Sequence, residues 1–305
     1  MSYYNCRSCD SIFISPEILA AIDAGKGLVN YTESYWKEQL PAARERSWGS
    51  ALARVAEVFL YARTPIKRFI DIGSGPGYLL DAIQYQLPHS ADIFYGNEIF
   101  PPGEEYCTSN KNYLRGNLLD FEFVFDAGSC IEVIEHLTPT MVRNLFGDLA
   151  VRSKANSIYI FNTGLSQYIK NEDLNYLDPL GRGHIMGWSI RGLQTLTRSL
   201  GFQILPIPGK TWAFIAEYRP DHQFNGDLTD RIGKALPENI NTLKDKKTGE
   251  LLYILGLDTA NVEWYHHEYE MLPTWYKRLG HIIKVLMGRR TFRSLFSDKA
   301  KKYKD

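Results

Sequence analysis

The spacing of hydrophobic residues changes several times along the 305-residue chain, and each change predicts a new element. Apolar side chains recur at three- and four-residue steps over residues 33–62, which predicts helix. From residue 68 onward, short apolar runs alternate with helical stretches, and the series closes with a hairpin. The predicted strands are 68–72, 92–96, 113–115, 123–133 and 157–161, the predicted helices 78–86, 139–150 and 189–201, and the hairpin strands 202–207 and 211–218.

This order of elements predicts the fold. Alternating strands and helices form a parallel sheet with helices on both faces, and a closing hairpin adds one antiparallel strand near its edge. We therefore predict a Rossmann-like α/β domain over 50–219 with a mostly parallel, seven-stranded sheet. Residues 1–49 are predicted to form a helical N-terminal cover, and 220–305 a helical C-terminal extension.

A glycine-rich turn follows the first predicted strand, as Asp71-Ile72-Gly73-Ser74-Gly75-Pro76-Gly77. Glycines let the backbone approach a bulky ligand, and the next helix offers free N–H groups. Glu98 ends the second strand, where a carboxylate can accept both hydroxyls of a ribose. A nicotinamide dinucleotide would also need such an acid, but the G-x-G-x-G spacing and the terminal hairpin favour S-adenosylmethionine (AdoMet). Asp71 alone could instead cap the helix.

The segment from Phe69 to Gly77 resembles motif I of the class I AdoMet-dependent methyltransferases, and the resemblance covers about two-thirds of the chain. It implies an enzyme with AdoMet as its cofactor. Asn117 replaces the Asp that the family usually has beside the adenine. The predicted cofactor-binding residues are Asp71, Gly73, Ser74, Gly75, Gly77, Glu98, Asn117, Leu118 and Cys130.

A second motif, Glu132-Val133-Ile134-Glu135-His136, follows the fourth strand, where polar groups line the crevice of an open α/β sheet. It resembles the ubiquinone-pathway O-methyltransferases, in which His136 would act as general base. It also resembles the plant-type small-RNA 2′-O-methyltransferases, in which these residues and a later histidine, here His184, hold a divalent metal. Both interpretations stay open. We predict Glu132 and His136 as catalytic residues and Glu132, Glu135, His136 and His184 as ligands of Mg²⁺ or Mn²⁺.

Other residues are weaker candidates. Asn162 ends the fifth strand at the same crevice, and the long loop 164–188, with Tyr168, Tyr176 and Arg182, is predicted to determine substrate specificity. Near the N-terminus, Cys6 and Cys9 are spaced like one half of a zinc ribbon. A structural zinc ion needs four ligands, so the alternative is a turn without metal.

Charge and composition limit the binding partners and the cellular location that the sequence predicts. Lys plus Arg equals Asp plus Glu, at 35 each, so no DNA-binding surface is expected. Residues 277–305 hold ten Lys or Arg and two Asp, which predicts either peripheral contact with an anionic membrane or a helix with a solvated basic face. With four cysteines and no signal-peptide pattern, we predict a cytoplasmic protein. The sequence does not predict an oligomeric state.

The methyl acceptor follows only from resemblance. The chain resembles bacterial methyltransferases that begin with a half zinc ribbon and act in glycan assembly, so we predict a sugar hydroxyl of a surface polysaccharide or its precursor. The alternatives are the 2′-hydroxyl of an RNA 3′ end and a quinone-type small molecule. A non-catalytic AdoMet-binding subunit is a further alternative, which the intact Glu-Glu-His-His set disfavours.

Overall fold

The computed structural model describes residues 1–27, 32–224 and 226–244. Its strands are β1 (Tyr3–Asn5), β2 (Ile12–Ile14), β3 (Phe69–Ile72), β4 (Phe94–Glu98), β5 (Tyr113–Arg115), β6 (Phe125–Ile131), β7 (Ser153–Asn162), β8 (Met186–Gly187), β9 (Phe202–Pro206) and β10 (Ala213–Tyr218). Its α-helices are α1 (Pro16–Asp23), α2 (Glu33–Trp48), α3 (Ser50–Tyr61), α4 (Tyr78–Gln86), α5 (Pro139–Val151), α6 (Ser166–Asn171), α7 (Ile190–Thr197) and α8 (Pro237–Leu243).

A seven-stranded sheet in the order β5-β4-β3-β6-β7-β10-β9 lies at the centre of the fold. Neighbouring strands from β5 to β7 pair in parallel. Strand β10 is antiparallel to both β7 and β9, so the closing hairpin places one reversed strand inside the sheet. The Rossmann-like α/β fold with a terminal antiparallel hairpin is therefore confirmed.

Successive residues of the central strands face opposite sides of the sheet, and each side buries its own core. Ile158 and Ile160 of β7 pack in the cluster that holds α3 and α4. Tyr159 and Phe161 pack in the opposite cluster, with α5 and α7. The residues on both faces of β7 are therefore apolar, and helices cover the strand from both sides, as is usual for a parallel sheet.

The helical stretch predicted over 33–62 is two helices, α2 and α3, rather than one. The chain turns between them at Gly49, which has φ −126° and ψ −99°, far from helical values. A Cβ atom there would lie 3.1 Å from the carbonyl oxygen of Glu45. The apolar spacing continues across the break because both helices present apolar side chains to the body of the protein. Helix α3 faces the core, whereas α2 lies over the glycine-rich turn.

The predicted strand 123–133 is shorter in the structure, where β6 spans Phe125–Ile131. The next residue, Glu132, has φ +56°, which turns the chain out of the sheet. A 3-10 helix follows at Ile134–His136. The turn places the acidic motif at the carboxyl edge of the sheet instead of within it.

A small three-stranded sheet, β1-β2-β8, was not predicted. It joins the N-terminal hairpin to the segment just after His184, since Ile12 of β2 pairs with Gly187 of β8. The Ile14 N–H donates to the Ile185 carbonyl at 3.0 Å, and the Ile14 side chain is fully buried in the core beneath the main sheet. The N-terminal residues are thus packed against the segment that carries a predicted site residue.

The predicted membrane-contact segment, 277–305, lies outside the described residues, which end at 244. Within them, α8 docks near the start of β3, where the Asn239 carboxamide accepts from the Ile66 N–H at 2.8 Å. Among the residues that the model describes, no helix combines the length and the apolarity needed to span a bilayer.

The contact of β2 with the main core gives a stability prediction. Ile14→Ala removes a fully buried side chain, so we expect the free energy of unfolding to fall by about 2–5 kcal/mol. Tyr4→Ala is the matched control, because Tyr4 on the same hairpin is 48% exposed. Denaturant titration of both variants measures the difference. Equal stability of the two variants would show that the hairpin is not integrated into the core.

Candidate functional site

The glycine-rich turn between β3 and α4 has a backbone that only glycine adopts without strain. Gly73, Gly75 and Gly77 have φ of +66°, +54° and +79°. A Cβ on Gly73 would lie 2.5 Å from Val133, and one on Gly77 would lie 2.3 Å from Thr108. The turn therefore needs these glycines both for its conformation and for its close packing.

Glu98, at the end of β4, is bonded directly to this turn. One carboxylate oxygen accepts from the Gly75 N–H and the other from the Phe100 N–H, both at 2.9 Å. Burial raises the pKa of Glu98, and these hydrogen bonds oppose that rise. In the same turn, the Ser74 N–H donates to the Asn97 carbonyl at 3.0 Å. The predicted ribose acid and the predicted cofactor loop thus form one hydrogen-bonded unit.

Two apolar residues that follow Glu98 were missed. Ile99 is 54% exposed and Phe100 is 63% exposed, although both are large and hydrophobic. Two consecutive apolar residues directly after a strand-end acid were the available signal in the sequence. They provide an apolar surface beside Glu98 against which a flat ring could pack.

Asp71 lies below the turn in the interior of the protein. It is 6% exposed and accepts a hydrogen bond from the Ser129 hydroxyl at 2.7 Å. Burial raises the pKa of Asp71 to about 7; the Ser129 bond lowers it, and the nearby Glu98 raises it further. The alternative role as helix cap does not apply, because the cap of α4 is Gly77.

The remaining predicted cofactor residues, Asn117, Leu118 and Cys130, do not take part in the hydrogen-bonded unit formed by the turn and Glu98. Asn117 is exposed and forms a capping box with Asp120, whose carboxylate accepts from the Asn117 N–H at 2.8 Å. Leu118 and Cys130 are 3% and 1% exposed and belong to the hydrophobic core. Burial raises the pKa of the Cys130 thiol well above its ordinary value.

Three of the four predicted metal ligands converge. Glu135, His136 and His184 each offer a ligand atom, and these atoms lie within 4.8 Å of one another. Two hydrogen bonds join the segments that carry them. The Ile185 N–H donates to the Glu135 carbonyl at 2.9 Å, and the Trp188 indole N–H donates to the Ile134 carbonyl at 2.8 Å.

The hydrogen bonds of the two histidines determine which ring nitrogens are protonated. Nδ1 of His136 faces the Gly183 carbonyl at 3.1 Å, and Nδ1 of His184 faces the Tyr176 carbonyl at 2.7 Å. A carbonyl only accepts, so each Nδ1 carries hydrogen and each Nε2 keeps a lone pair. Burial lowers the pKa of both rings, that of His184 to about 4. Both imidazoles are therefore neutral at pH 7.

The carboxylate of Glu135 is fully buried and only half satisfied. Its Oε1 accepts from the Tyr176 hydroxyl at 3.1 Å and lies 4.0 Å from Nε2 of His184. Its Oε2 has no hydrogen-bond partner among the described residues. A buried carboxylate beside two imidazole lone pairs is a donor set that suits a divalent cation, which would supply the missing positive charge.

Glu132, the fourth predicted ligand, lies beside this set rather than in it. Its Oε1 accepts from the Asn162 carboxamide at 2.8 Å, so the candidate Asn162 holds an acid of the motif in place. Burial raises the pKa of Glu132 to about 8, and the neighbouring charge of Glu135 adds to the rise. The two acids are close enough to influence each other's ionisation.

A cavity of about 430 Å³ opens beside Glu132. Its wall combines carboxylates, aromatic rings and one guanidinium. The lining residues are Glu132, Asn162, Gly164, Tyr168, Glu172, Asp173, Tyr176, Arg182 and Trp212. The weaker candidates for substrate contact, Asn162, Tyr168, Tyr176 and Arg182, all line this cavity. Glu172, Asp173 and Trp212 were missed; the first two lie in the predicted specificity loop, whereas Trp212 lies in the hairpin connection.

Trp212 is held in the cavity wall by a buried group of charges. The guanidinium of Arg54 lies 4.5 Å and the ammonium of Lys210 lies 5.1 Å from the ring centroid. Glu57, which is 1% exposed, accepts hydrogen bonds from both cations. Its carboxylate bridges the two cations that contact the indole and balances one of their two charges.

Comparisons with known proteins give structural likeness only. No family model and no curated sequence matches the chain. A chain from the complex between the Haloferax volcanii Trm112 methyltransferase activator and the putative methyltransferase shares 14% identity over 63% of this chain and 99% of that one, with a TM-score of 0.45.

Two further likenesses are of the same order. An amino pentose methyltransferase from Micromonospora echinaspora, solved with bound SAM, shares 15% identity over 62% of this chain and 98% of that one, with a TM-score of 0.44. Human N-acetylserotonin methyltransferase in complex with SAM shares 12% identity over 68% of this chain and 60% of that one, with a TM-score of 0.46. The fold assignment therefore depends on the strand order described above, and not on these likenesses.

The raised pKa of Asp71 gives a pH prediction for the ligand-free protein. The unfolded chain loses the Asp71 proton near pH 3.8 and the folded protein near pH 7, so the folded state binds more protons in between. Stability must then fall as pH rises across this window. The side chain of Asp71→Asn does not titrate. We therefore expect the melting temperature of this variant, relative to that of the wild type, to rise from pH 4 to pH 7.

Asp92→Asn is the control, because Asp92 is an exposed acid that should give a curve close to the wild type. Thermal unfolding of the three proteins at several pH values measures the effect. A constant gap between Asp71→Asn and the wild type would mean that Asp71 is already ionised in the folded protein at low pH.

Proposed function

We propose that this protein is an AdoMet-dependent O-methyltransferase that transfers a methyl group to a sugar hydroxyl. The observation that carries the proposal is the convergence of Glu135, His136 and His184 at the carboxyl edge of the sheet, beside a cavity rich in hydrogen-bonding groups. In an open α/β sheet, this edge is where ligands bind. The cofactor half and the acceptor half of the site are argued separately.

For the cofactor, the support is the unit formed by the glycine-rich turn and Glu98. The turn brings backbone close to a ligand, and the Glu98 carboxylate is oriented by the N–H groups of Gly75 and Phe100. A carboxylate so placed can accept from the two hydroxyls of the AdoMet ribose. The exposed side chains of Ile99 and Phe100 supply an apolar surface for the adenine.

For the methyl transfer, the support is the neutral histidine pair with its buried acid. Glu135, His136 and His184 would hold a divalent ion, Mg²⁺ or Mn²⁺, through Nε2 of each ring and the carboxylate. When bound, such an ion lowers the pKa of an acceptor hydroxyl and orients a vicinal diol. The carbonyls of Gly183 and Tyr176 orient the imidazoles, which is the usual second-layer support of metal-binding histidines.

The protein residues also allow acid–base chemistry without an ion. Nε2 of His136 keeps its lone pair at pH 7 and can accept the proton of an acceptor hydroxyl. Glu132, whose pKa is raised to about 8, can hold a proton near the same position. His136 as general base is thus the alternative to metal assistance, and the prediction below separates the two.

For the acceptor, the support is the character of the cavity wall. Three acids, Glu132, Glu172 and Asp173, face one guanidinium, Arg182. Carboxylates accept from sugar hydroxyls, and the apolar face of a sugar ring packs on tyrosine and tryptophan. The carboxylates of Glu172 and Asp173 repel phosphate, which disfavours an RNA 3′ end. A quinone-type phenol would use the aromatic wall but leave the acids without donors. We therefore favour a glycan hydroxyl, in a bacterial surface polysaccharide or its precursor.

The cofactor role of Glu98 gives the next prediction. Glu98→Ala removes an acceptor of two charge-assisted hydrogen bonds, so AdoMet binding should weaken by about 2–3 kcal/mol. Isothermal titration calorimetry measures this, with Glu105→Ala as control because Glu105 is an exposed acid of the following loop. Unchanged affinity in Glu98→Ala would remove Glu98 from the cofactor site.

The metal gives a separate prediction with a binding readout. The wild type should bind Mn²⁺ in calorimetry, and His184→Ala and Glu135→Gln should each lose this binding, because either variant removes one donor of a three-residue set. AdoMet affinity should remain close to that of the wild type. His89→Ala is the control, since His89 is exposed and lies outside the set.

Activity tests the role of the ion. Transfer of a labelled methyl group from AdoMet to extracted glycan should stop in EDTA and return with Mg²⁺ or Mn²⁺. Full activity in EDTA together with an inactive His136→Ala would leave His136 as a general base and contradict the metal. Mass spectrometry of the surface glycan from a strain lacking the gene tests the acceptor, since an unchanged methyl content would contradict a glycan substrate.

A further inference from the structure

The turn that carries Cys6 and Cys9 has the backbone of a metal-binding knuckle. It connects the antiparallel strands β1 and β2, in which Asn5 pairs with Ile12. The Cys6 N–H donates to the Ser11 carbonyl, and the Asp10 N–H donates to the Cys6 carbonyl, both at 2.8 Å. Asp10, directly after the second cysteine, has φ +71°. This left-handed residue bends the chain back so that both cysteines lie on one side of the turn.

The sulfur of Cys6 is surrounded by hydrogen-bond donors. The Ser8 hydroxyl lies 3.1 Å from it, and the N–H groups of Ser8 and Cys9 point to it as well. The Cys9 thiol is also within hydrogen-bond reach of Cys6. Donors directed at a sulfur stabilise a thiolate, the form that binds metal. Both cysteines are free thiols and partly exposed, so an ion can reach them.

The turn is fixed to the body of the protein. The Cys9 carbonyl accepts from the Ser189 hydroxyl at 2.5 Å, and the Ser11 and Ser189 hydroxyls lie 3.1 Å apart. The Asp10 carboxylate accepts from the Lys170 ammonium at 2.6 Å. The two thiols are therefore held in place before any ion binds, while the nearest carboxylate is already occupied by a lysine.

Among the described residues of one chain, the donor set at this turn is incomplete. Structural zinc is bound by four ligands in tetrahedral geometry, and this turn supplies two. Over the described ranges, the only group of three or more potential ligands is Glu135, His136 and His184, so the knuckle has no third protein ligand there. A second copy of the chain, related by a two-fold axis, would supply two identical thiols and complete the set of four.

The surface beside the knuckle suits a second copy. Strand β1 is the outer strand of the three-stranded sheet, so its outer edge is not paired within that sheet. Tyr4 on this strand is 48% exposed and stacks on Phe13 with ring centroids 5.9 Å apart. A strand edge unpaired within its sheet and an exposed aromatic ring are features that associating chains cover.

We propose that Cys6 and Cys9 of two copies bind one Zn²⁺ between them and so join the chains as a dimer. The ion binds four thiolates, and the four thiol protons pass to solvent. This site is independent of the proposed methyl transfer. It uses neither the glycine-rich turn nor the Glu135, His136 and His184 set.

The test uses the full chain, stripped of metal with a chelator and then titrated with Co²⁺ as a probe and with Zn²⁺. Thiolate ligands give Co²⁺ a sulfur-to-metal charge-transfer band that histidine and carboxylate ligands do not give. We expect this band to saturate at one ion per two chains. We also expect light scattering to show twice the monomer mass with Zn²⁺ and the monomer mass after chelation.

Cys9→Ser should lose both the band and the dimer, while Cys107→Ser, which changes a thiol far from the turn in sequence, should keep both. Circular dichroism shows whether Cys9→Ser is folded, and the chelated wild type gives the same comparison without a mutation. Three results would overturn the proposal: no thiolate band, one thiolate-bound ion per monomer, or a dimer whose mass is unchanged by chelation.

Discussion

The buried carboxylate of Glu135 is the constraint on which the site depends. One of its oxygens has no hydrogen-bond partner among the described residues, and the other accepts from the Tyr176 hydroxyl at 3.1 Å. An isolated carboxylate in the interior is costly unless it is protonated, paired or bound to a cation. Burial raises the pKa of Glu135, so without a cation the protein favours its neutral form. Burial also keeps the two histidines beside it neutral. Neither imidazole therefore supplies a positive charge to pair with the carboxylate.

The main sheet alone does not hold this group together. His184 comes from a long loop, and its position depends on β8, two residues later, which pairs with β2 of the N-terminal hairpin. The same hairpin buries Ile14 in the core next to the sheet. A disturbance at the N-terminus therefore passes through two short strands to His184. The N-terminal cover contributes to the geometry of the site as well as to stability.

The sequence predicts the central fold well because each of its signals is local. Short apolar runs, a G-x-G-x-G turn and an acid at the next strand end all arise within a few residues, and the structure has each near its expected place. The three-stranded sheet was missed because β8 has two residues and its partners are about 170 positions away, so no periodicity marks it. The break at Gly49 was missed because apolar spacing continues on both sides of it.

The site residues divide in the same way. The acidic motif could be predicted because Glu135 and His136 are adjacent in sequence, and His184 could be predicted only by resemblance. Trp212 could not, since its role depends on Arg54, Glu57 and Lys210, which come from α3 and from the hairpin turn. Their contacts exist only once α3 packs beneath the sheet. For Leu118, the sequence signal was its position after a strand, which suggests the crevice. In the structure, Leu118 begins a 3-10 helix capped by Asn117, and its side chain packs in the core.

On the proposed function, the cavity wall and the Glu135 group would act together on the acceptor. Glu172 and Asp173 line the cavity, and Glu132 lies where the cavity meets the Glu135 group. An anion entering the site would therefore approach two carboxylates before it reached this group. A hydroxyl-rich neutral molecule would instead find acceptors for its hydroxyls along the path. Trp212, held by two cations that Glu57 bridges, would give such a molecule one fixed surface. On the proposed function, this wall would disfavour phosphate and orient an acceptor hydroxyl toward the neutral imidazoles.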